Sequence, residues 1–293
     1  MTTTQSHNLV KLLHSPFLAF VRLTGIAVWT LGGLAAQGVA LSSRLIDWYA
    51  VPGRWYRVSC RLAGISVKTS GDPMDTSTAA ASPVLFVANH ISYLDIFVLG
   101  SLLRASFVAK SEVAAWPIFG FLSKVQRTVF VDRRARYAAN QRDALSARLA
   151  AGDCLILFPE GTSGCGAQTR PFKSALFSVA AHEGDHQPVI VQPVSLAYTR
   201  VEFMPMGRLM RPFFAWYGDM ELAPHLWRVL GLGKITVTVT FHPPVTLQAF
   251  GSRKALAAYC QSVVAEGAAQ ARSGRSVDVQ SPDLHIDDVK IEQ

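Results

Sequence analysis

A histidine and an aspartate after an apolar run are the residues of this chain best suited to acid–base chemistry. His90 follows the run 84–88 and Asn89, and Asp95 lies five positions further on. A neutral imidazole can take a proton from a hydroxyl near neutral pH, best when a carboxylate on its other ring nitrogen fixes the tautomer. The spacing fits a tight turn after a strand, followed by the first turn of a helix. It equally fits a helix-start aspartate beside an incidental histidine.

A second polar loop follows the apolar run 155–158 and contains Glu160, Gly161 and Thr162. A glycine after a strand lets the backbone approach an anion, and the backbone N–H groups of such a loop can bind it. The loop is not a P-loop, because no Lys-Ser/Thr pair stands at the required spacing, and it lacks the Gly-x-Ser-x-Gly pattern of a nucleophile elbow. Two polar loops at strand ends predict one composite site.

Three basic residues could pair with an anion at this second loop. Arg170 and Lys173 follow it in the chain, and Arg133 comes after the predicted strand at 128–132. A guanidinium group suits bidentate binding of phosphate or carboxylate. Each cation taken singly is also explained as a solvated surface charge, so both interpretations stay open.

Strand and helix patterns alternate along the body of the chain. Strands are predicted at 84–88, 105–109, 128–132, 154–158, 189–197 and 235–241, and helices at 94–103, 138–150, 172–183 and 252–271. This alternation is typical of an α/β fold. We therefore expect a central mixed sheet covered by helices, with an apolar, membrane-associated helical segment before it.

The N-terminal region predicts membrane association. Residues 23–41 carry no charged side chain and are close to the roughly 20 that a helix needs to cross a bilayer. A helical hairpin lying in one leaflet and a buried helix capping the core are the alternatives. The Trp, Tyr and Arg residues of 47–57 suit the headgroup level, and the excess of basic residues after the apolar run predicts a domain on the cytoplasmic face of the inner membrane.

Three regions follow from these patterns. They are an N-terminal membrane-associated helical region at 1–68, an α/β domain at 69–272 and a flexible tail at 273–293. The tail is rich in Pro, Ser, Asp and Glu, a composition that disfavours a packed core.

The charge balance predicts an anionic partner. The chain has 293 residues and a formal net charge of +8, with 50% hydrophobic and only 16% charged residues. Phospholipid headgroups or an acidic carrier protein fit this balance, whereas nucleic acid is disfavoured because no long basic run or recognition motif is present. The four cysteines have no metal-ligand spacing and are typical of a reducing compartment.

Two further segments need an interpretation. The segment 182–186 matches the zinc-protease pattern H-E-x-x-H, but Gly184 and Pro188 disfavour the continuous helix that this metal site requires. Residues 203–217 contain three Met and five aromatic side chains. This soft apolar segment is either part of the core or a surface for acyl chains or membrane.

Four stretches of the chain together resemble the motifs of the glycerolipid acyltransferases. The residues from His90 to Asp95 match the H-x4-D signature of that family, and the stretches 130–133, 158–162 and 191–194 look like its second, third and fourth motifs. The order and spacing agree over roughly residues 84–198. The resemblance is greatest to the bacterial 1-acylglycerol-3-phosphate acyltransferases, with the lyso-ornithine-lipid acyltransferases close by.

The resemblance implies direct acyl transfer without an acyl-enzyme. His90 would be the general base for the acceptor hydroxyl and Asp95 would orient it, while the hydroxyl oxygen attacks the thioester of acyl-CoA or acyl-carrier protein. The implied acceptor-binding residues are Arg133, Glu160, Gly161, Thr162 and Lys173. Pro193 would help to shape the acyl site. No metal or cofactor is implied.

One departure from the family bears on the acceptor. Many members have an arginine after Glu-Gly-Thr, whereas this chain has Ser163. Arg170 or Lys173 would replace the missing cation, or the acceptor is not a phosphate monoester. We therefore expect acyl transfer to 1-acylglycerol-3-phosphate, which gives phosphatidic acid. The alternatives are a lyso-ornithine lipid or other lysolipid acceptor, and a catalytically inert membrane-binding protein.

Overall fold

A computed structural model describes residues 14–43, 49–76, 82–132, 138–181 and 188–275. Its strands are Ile65–Ser70 (β1), Val84–Ala88 (β2), Ser106–Lys110 (β3), Val129–Val131 (β4), Leu155–Leu157 (β5), Ile190–Val201 (β6), Met204–Pro205 (β7), Ile235–Phe241 (β8) and Val245–Thr246 (β9). Its α-helices are Pro16–Ser43 (α1), Ala50–Leu62 (α2), Leu94–Leu102 (α3), Phe119–Val125 (α4), Ala138–Ala150 (α5), Arg211–Phe214 (α6), Leu222–Leu230 (α7), Leu247–Phe250 (α8) and Arg253–Ser273 (α9). Two 3₁₀ helices span Ser111–Ala115 and Ser174–Ala180.

The strands form one mixed sheet. Along its main path the order is β1-β8-β6-β2-β5-β3-β4, while β7 and β9 pair with β6. On that path only the β6–β8 pair is antiparallel. The predicted α/β class with a mixed central sheet is therefore confirmed. Because β2, β5 and β3 are parallel neighbours, the loops that leave their carboxyl ends meet at one edge of the sheet.

Helices cover both faces of this sheet. In β2, Val84, Phe86 and Ala88 belong to one hydrophobic cluster, and the alternate residues Leu85 and Val87 belong to another. Successive side chains of a strand point to opposite faces, so the two clusters lie on opposite sides of the sheet. Strands buried on both faces are typically continuous apolar runs, which is why β2 was recognisable from its sequence.

The helices divide between these two cores. The first cluster receives side chains from α1, α2, α3 and α7, and the second receives side chains from α5, α9 and the 3₁₀ helix Ser174–Ala180. The N-terminal helices and the C-terminal helix α9 thus lie on opposite faces of the molecule.

The predicted strands and helices all appear, with small shifts at their ends. The largest change is at 172–183, where the structure has the 3₁₀ helix Ser174–Ala180, and residues 182–187 lie outside the described part. The edge strand β1 was not predicted, because its exposed Lys68 and Thr69 interrupt the apolar pattern. The domain boundary suggested between residues 68 and 69 falls inside β1, which pairs in register with β8.

Helix α1 is attached to the α/β domain along much of its length. Among the described residues it is the helix long and apolar enough to cross a membrane, yet little of it is buried. Near its start, the Arg22 guanidinium donates to the backbone oxygens of Leu230 (3.1 Å) and Leu232 (2.5 Å). Leu230 is the last residue of α7, where the last turn of a helix leaves oxygens without intrahelical partners, and Leu232 lies two residues beyond it. Arg22 thus satisfies them and fixes α1 to the domain.

Candidate active site

His90 and Asp95 meet directly beyond the end of β2. The strand ends at Ala88 and α3 begins at Leu94, so Asp95 lies in the first helical turn. The Nδ1 atom of His90 is 2.9 Å from Oδ2 of Asp95. The turn followed by a helix is thus the geometry that the spacing predicted. With Nδ1 paired to the carboxylate, Nε2 is the ring nitrogen that can accept a proton from a substrate.

Asp95 is a fully buried carboxylate that is held on both oxygens. Its Oδ2 also accepts from the backbone N–H groups of Ile91 (2.6 Å) and Ser92 (2.9 Å). Its Oδ1 accepts from the hydroxyl of Tyr198 in β6, at 2.7 Å. These donors offset the cost of removing a charge from water. They also prevent the carboxylate from rotating away from His90.

Glu160 joins the second polar loop to the first. Its Oε1 accepts from the backbone N–H of His90 at 2.9 Å, and its Oε2 accepts from that of Arg170 at 3.2 Å. The side chain is only 4% exposed. Burial raises the pKa of Glu160 to about 7, although the two backbone hydrogen bonds oppose this shift. Glu160 therefore holds the backbone beneath His90, and the contact with an acceptor implied by the family resemblance stays a prediction.

The ammonium group of Lys173 lies beside Gly161 of the second loop. Gly161 has a φ of +74°, and a Cβ atom built there would lie 2.8 Å from Nζ of Lys173. The positive φ favours glycine at this position, and a side chain there would displace the ammonium group of Lys173. The side chains of Thr162 and Lys173 are exposed. The backbone N–H of Lys173 donates to the backbone oxygen of Pro159 at 3.0 Å. Lys173 thus offers a positive charge beside a loop suited to anions.

The ring of His90 also has a fixed orientation. It stacks on Phe158, with the ring centroids 4.1 Å apart and the planes 17° from parallel. Phe158 in turn stacks on Phe107 of β3, at 6.4 Å. Together with the Asp95 contact, this packing restricts the imidazole to one plane.

Ser163 contributes to the structure of the loops and not as a free hydroxyl. Its Oγ donates to the backbone oxygen of Trp216, and the N–H of Trp216 donates to the oxygen of Ile91 at 3.0 Å. The backbone N–H of Gly164 also donates to the backbone oxygen of His90 at 2.9 Å, which joins the two loops directly. The two polar loops are therefore connected through Trp216 as well as through Glu160.

The remaining predicted site residues are less directly placed. Pro193 lies inside β6, buried and in register with Val87, so its acyl-site role stays a prediction. Arg133 and the H-E-x-x-H segment at 182–186 lie outside the described residues. The residues that the sequence analysis missed are Tyr198 and Trp216. No short motif marks them, since each reaches the site from a distant part of the chain.

Comparison with known proteins agrees with this geometry. Residues 73–197 match the model of the Acyltransferase family. A lyso-ornithine lipid O-acyltransferase of Brucella abortus (strain 2308) is 43% identical over 78% of this chain and 85% of its own length. The same enzyme of Rhizobium meliloti (strain 1021) is 42% identical over 70% of each chain. A 1-acyl-sn-glycerol-3-phosphate acyltransferase of Neisseria gonorrhoeae is 35% identical over 54% of this chain and 58% of its own.

A solved structure shares the fold. The crystal structure of the 1-acyl-sn-glycerophosphate acyltransferase PlsC from Thermotoga maritima superposes with a TM-score of 0.60. It covers 87% of this chain and 95% of its own, at 20% sequence identity. The family model and the 43% identical relative show that the chain belongs to the acyltransferase family. Within that family it is an enzyme of the lysolipid type, as the names of its relatives and the resemblance of its motifs agree.

Removing the Tyr198 hydroxyl is expected to slow this enzyme without weakening substrate binding. In Tyr198→Phe, Oδ1 of Asp95 loses its partner, so the carboxylate is held less firmly against His90. We expect kcat to fall about tenfold, the effect of one hydrogen bond to a charged group, with both KM values unchanged. Steady-state kinetics with each substrate varied in turn measures this split.

Tyr93→Phe is the matched control for this variant. Tyr93 is a buried tyrosine between His90 and Asp95, but its hydroxyl pairs with Nδ1 of His225 at 3.0 Å. Burial lowers the pKa of His225 to about 4, so that imidazole is neutral near pH 7. The Tyr198→Phe effect should also disappear when Asp95→Asn is already present. Equal losses in kcat for both phenylalanine variants would contradict the role of Tyr198.

Proposed function

We propose that this enzyme transfers a fatty acyl group from a thioester to the free hydroxyl of a lyso-ornithine lipid. The contact between His90 Nδ1 and Asp95 Oδ2 carries the proposed chemistry, because it leaves Nε2 free to act as a base. The acceptor is supported by relatives that are 43%, 42% and 39% identical and are named lyso-ornithine lipid O-acyltransferases. It is also supported by Ser163, whose hydroxyl is occupied by Trp216 at the position where many family members have an arginine.

The reaction needs one base and no acyl-enzyme. Nε2 of His90 takes the proton of the acceptor hydroxyl while the hydroxyl oxygen bonds to the thioester carbonyl carbon. The tetrahedral intermediate then collapses, the C–S bond breaks, and the leaving thiolate takes the proton back from the imidazolium. Asp95 stabilises the imidazolium between these steps. The donor is acyl-CoA or acyl-carrier protein, and the proposal includes no metal or cofactor.

A lyso-ornithine lipid would present a single carboxylate to the cations near the second loop. Ornithine coupled through one amine keeps one carboxylate and one ammonium group, whereas a phosphate monoester carries about −1.5 to −2 charges at neutral pH. Lys173 beside Gly161 would pair with the carboxylate, and the exposed Thr162 would bind alongside it. In this proposal Arg133 adds a second cation at the same headgroup.

The acceptor preferred in the sequence analysis, 1-acylglycerol-3-phosphate, is the second candidate. It is supported by relatives with that name, one of them 35% identical over 160 residues. Its phosphate would need Arg170 or Lys173 in place of the arginine that Ser163 replaces. The inert membrane-binding alternative is disfavoured by the intact contact between His90 and Asp95.

A panel of acceptors tests the proposal. Purified enzyme receives lyso-ornithine lipid or 1-acylglycerol-3-phosphate, each with acyl-CoA and with acyl-carrier protein, and mass spectrometry measures the products. We expect a higher kcat/KM for lyso-ornithine lipid. A higher value for 1-acylglycerol-3-phosphate would establish the second candidate instead, and no turnover of any lysolipid would reject the proposed chemistry.

Substitution of Ser163 tests the origin of the preference. Ser163→Arg should raise the kcat/KM ratio of 1-acylglycerol-3-phosphate to lyso-ornithine lipid about tenfold, because one charge-assisted hydrogen bond is gained. Ser163→Ala is the control, since it removes the bond to Trp216 without adding a cation. An equal change of the ratio in both variants would show that the added charge is not responsible.

We also propose that α1 lies in the plane of the membrane and does not span it. Arg22 is bonded to the end of α7, Trp29 donates its Nε1–H to the oxygen of Trp55 at 3.3 Å, and Gln37 and Ala40 are buried. These residues follow the helix for most of its length, so α1 runs along the protein surface. A helix attached in this way can bury only its outer side in one leaflet. The predicted cytoplasmic face of the inner membrane remains part of this proposal.

A further inference from the structure

We propose that two further segments, the turn 116–121 and the segment 203–209, enter the same leaflet as α1 and form one docking face for an anionic lipid surface. This inference rests on the membrane association proposed above. It adds contacts outside the N-terminal helix, and these would orient the active site towards the lipid.

The exposed large hydrophobic side chains are confined to a few segments. Within the ranges that the structure describes, they lie on α1, on the turn 116–121, or between residues 203 and 227, and not elsewhere. They are Phe17, Phe20, Val21, Leu23, Val28, Leu31, Val39, Leu41, Ile118, Phe121, Phe203, Met204, Leu209, Tyr217 and Trp227. Scattered apolar residues are normal on a protein surface, but this concentration marks an interaction face.

The turn 116–121 is built to hold two apolar side chains in solvent. Ile118 is 71% exposed and Phe121 is 58% exposed. Ile118 has a φ of +63°, which is strained for a β-branched residue. Gly120 fixes the turn, because a Cβ atom there would lie 2.4 Å from the oxygen of Ala114. A rigid, strained turn that displays apolar side chains to water indicates a binding role for them.

This turn lies beside the later half of α1. It leads into α4, whose Leu122 and Val125 line an apolar groove. Gly33 and Leu34 of α1 and Trp55 of α2 line the same groove. The apolar surface of α1 therefore continues onto the turn. On its other side, Trp116 packs edge-on against Trp216 at 5.9 Å, so the turn also adjoins the active-site loops.

The segment 203–209 lies beside the beginning of α1. Phe203 is 87% exposed at the tip of the β6–β7 hairpin. The preceding Glu202 donates its N–H to the oxygen of Lys234 at 2.6 Å and accepts the N–H of Lys234 at 2.5 Å. Arg22 of α1 bonds to the oxygen of the adjacent Gly233 at 3.4 Å. The hairpin tip and the first turns of α1 are thus fixed to the same stretch of chain.

The charges at the edges of this face favour anionic lipid. Lys110 and Lys124 flank the turn 116–121, and Arg200 and Arg208 flank the hairpin tip, and all four side chains are exposed. The exposed Glu112 is an opposing charge near the turn. With a net charge of +8 for the whole chain, the balance attracts a negative surface.

Vesicle binding of the full chain tests the two added contacts. The vesicles are phosphatidylcholine with a fraction of phosphatidylglycerol, and sedimentation measures the bound protein. The variants are Ile118→Asp/Phe121→Asp and Phe203→Asp/Met204→Asp. We expect each double variant to lower the partition coefficient at least tenfold, because apolar side chains are lost from the leaflet and charges are added.

The control adds the same two charges on the opposite side of the sheet. Ala258 and Ala269 are exposed on α9, which packs on the second core, so Ala258→Asp/Ala269→Asp should bind vesicles within twofold of the unmodified protein. Unchanged binding of either test variant, or an equal loss in the control, would overturn the proposal. Because binding is measured without acceptor or donor, failure here is distinguishable from failure of the proposed acyl transfer. Thermal denaturation confirms that each variant is folded.

Discussion

Replacing His90 with alanine is expected to reduce kcat for acyl transfer about 10²- to 10⁴-fold, the usual contribution of a general base. The expected loss follows from the proposed role of His90 Nε2 as the base, since the other ring nitrogen of His90 is held 2.9 Å from Asp95. The KM values should change little, since the headgroup is assigned to the second loop. Single-turnover measurements with radiolabelled thioester determine the rate of the chemical step directly.

His14→Ala is the matched control for this experiment. His14 is a partly exposed histidine whose Nε2 lies 3.4 Å from the oxygen of Trp227, away from the His90 loop. Its replacement should leave kcat within about twofold. Turnover of the His90→Ala protein at a near-normal rate would reject the mechanism.

The contribution of Glu160 to the stability of the enzyme is expected to fall as the pH rises from about 4.5 to 7. Burial raises the pKa of this carboxyl to about 7 in the folded protein from an ordinary value of 4.5. The folded state therefore binds the proton more tightly than the unfolded state. The resulting stability is fully present below the unfolded pKa and is lost as the pH passes through the folded pKa. The size of the effect is about 3 kcal/mol.

Glu160→Gln isolates this contribution. Because glutamine does not titrate, the difference in free energy of unfolding between the original protein and the variant should decrease between pH 4.5 and 8. Chemical denaturation in one detergent at several pH values measures this difference. Glu266→Gln, which removes an exposed carboxylate on α9, serves as the control. Parallel stability curves for the original protein and Glu160→Gln would contradict the assignment.

The parts of the site that the sequence could predict are local in the chain. His90 and Asp95 are separated by one turn, and the apolar run before them identifies the strand that ends there. The same holds for Glu160 and Gly161 after β5. Local spacing therefore indicated the chemistry of both loops, although it could not show that Glu160 bonds to the backbone of His90.

The parts that it could not predict depend on distant partners. Tyr198 reaches Asp95 across the sheet, from a position that looks like any other core residue of β6. Ser163 donates to the backbone oxygen of Trp216. Every residue has such an oxygen, so the residue type at position 216 does not indicate this contact. The extent of α1 was also hidden, because Arg22 ends the uncharged run in the sequence, whereas in the fold its charge is satisfied by carbonyls of the 230–233 segment.

The Glu160 contacts have a consequence for how the site responds to its substrates. Glu160 bonds to the backbone of both loops, and Trp216 bonds to the backbone of Ile91 and to the hydroxyl of Ser163. The His90 loop and the second loop are therefore fixed relative to each other before a lipid binds. Preorganisation of this kind lowers the reorganisation energy of the chemical step. We expect turnover to be limited by delivery of the lipid hydroxyl from the bilayer and not by assembly of the site around it.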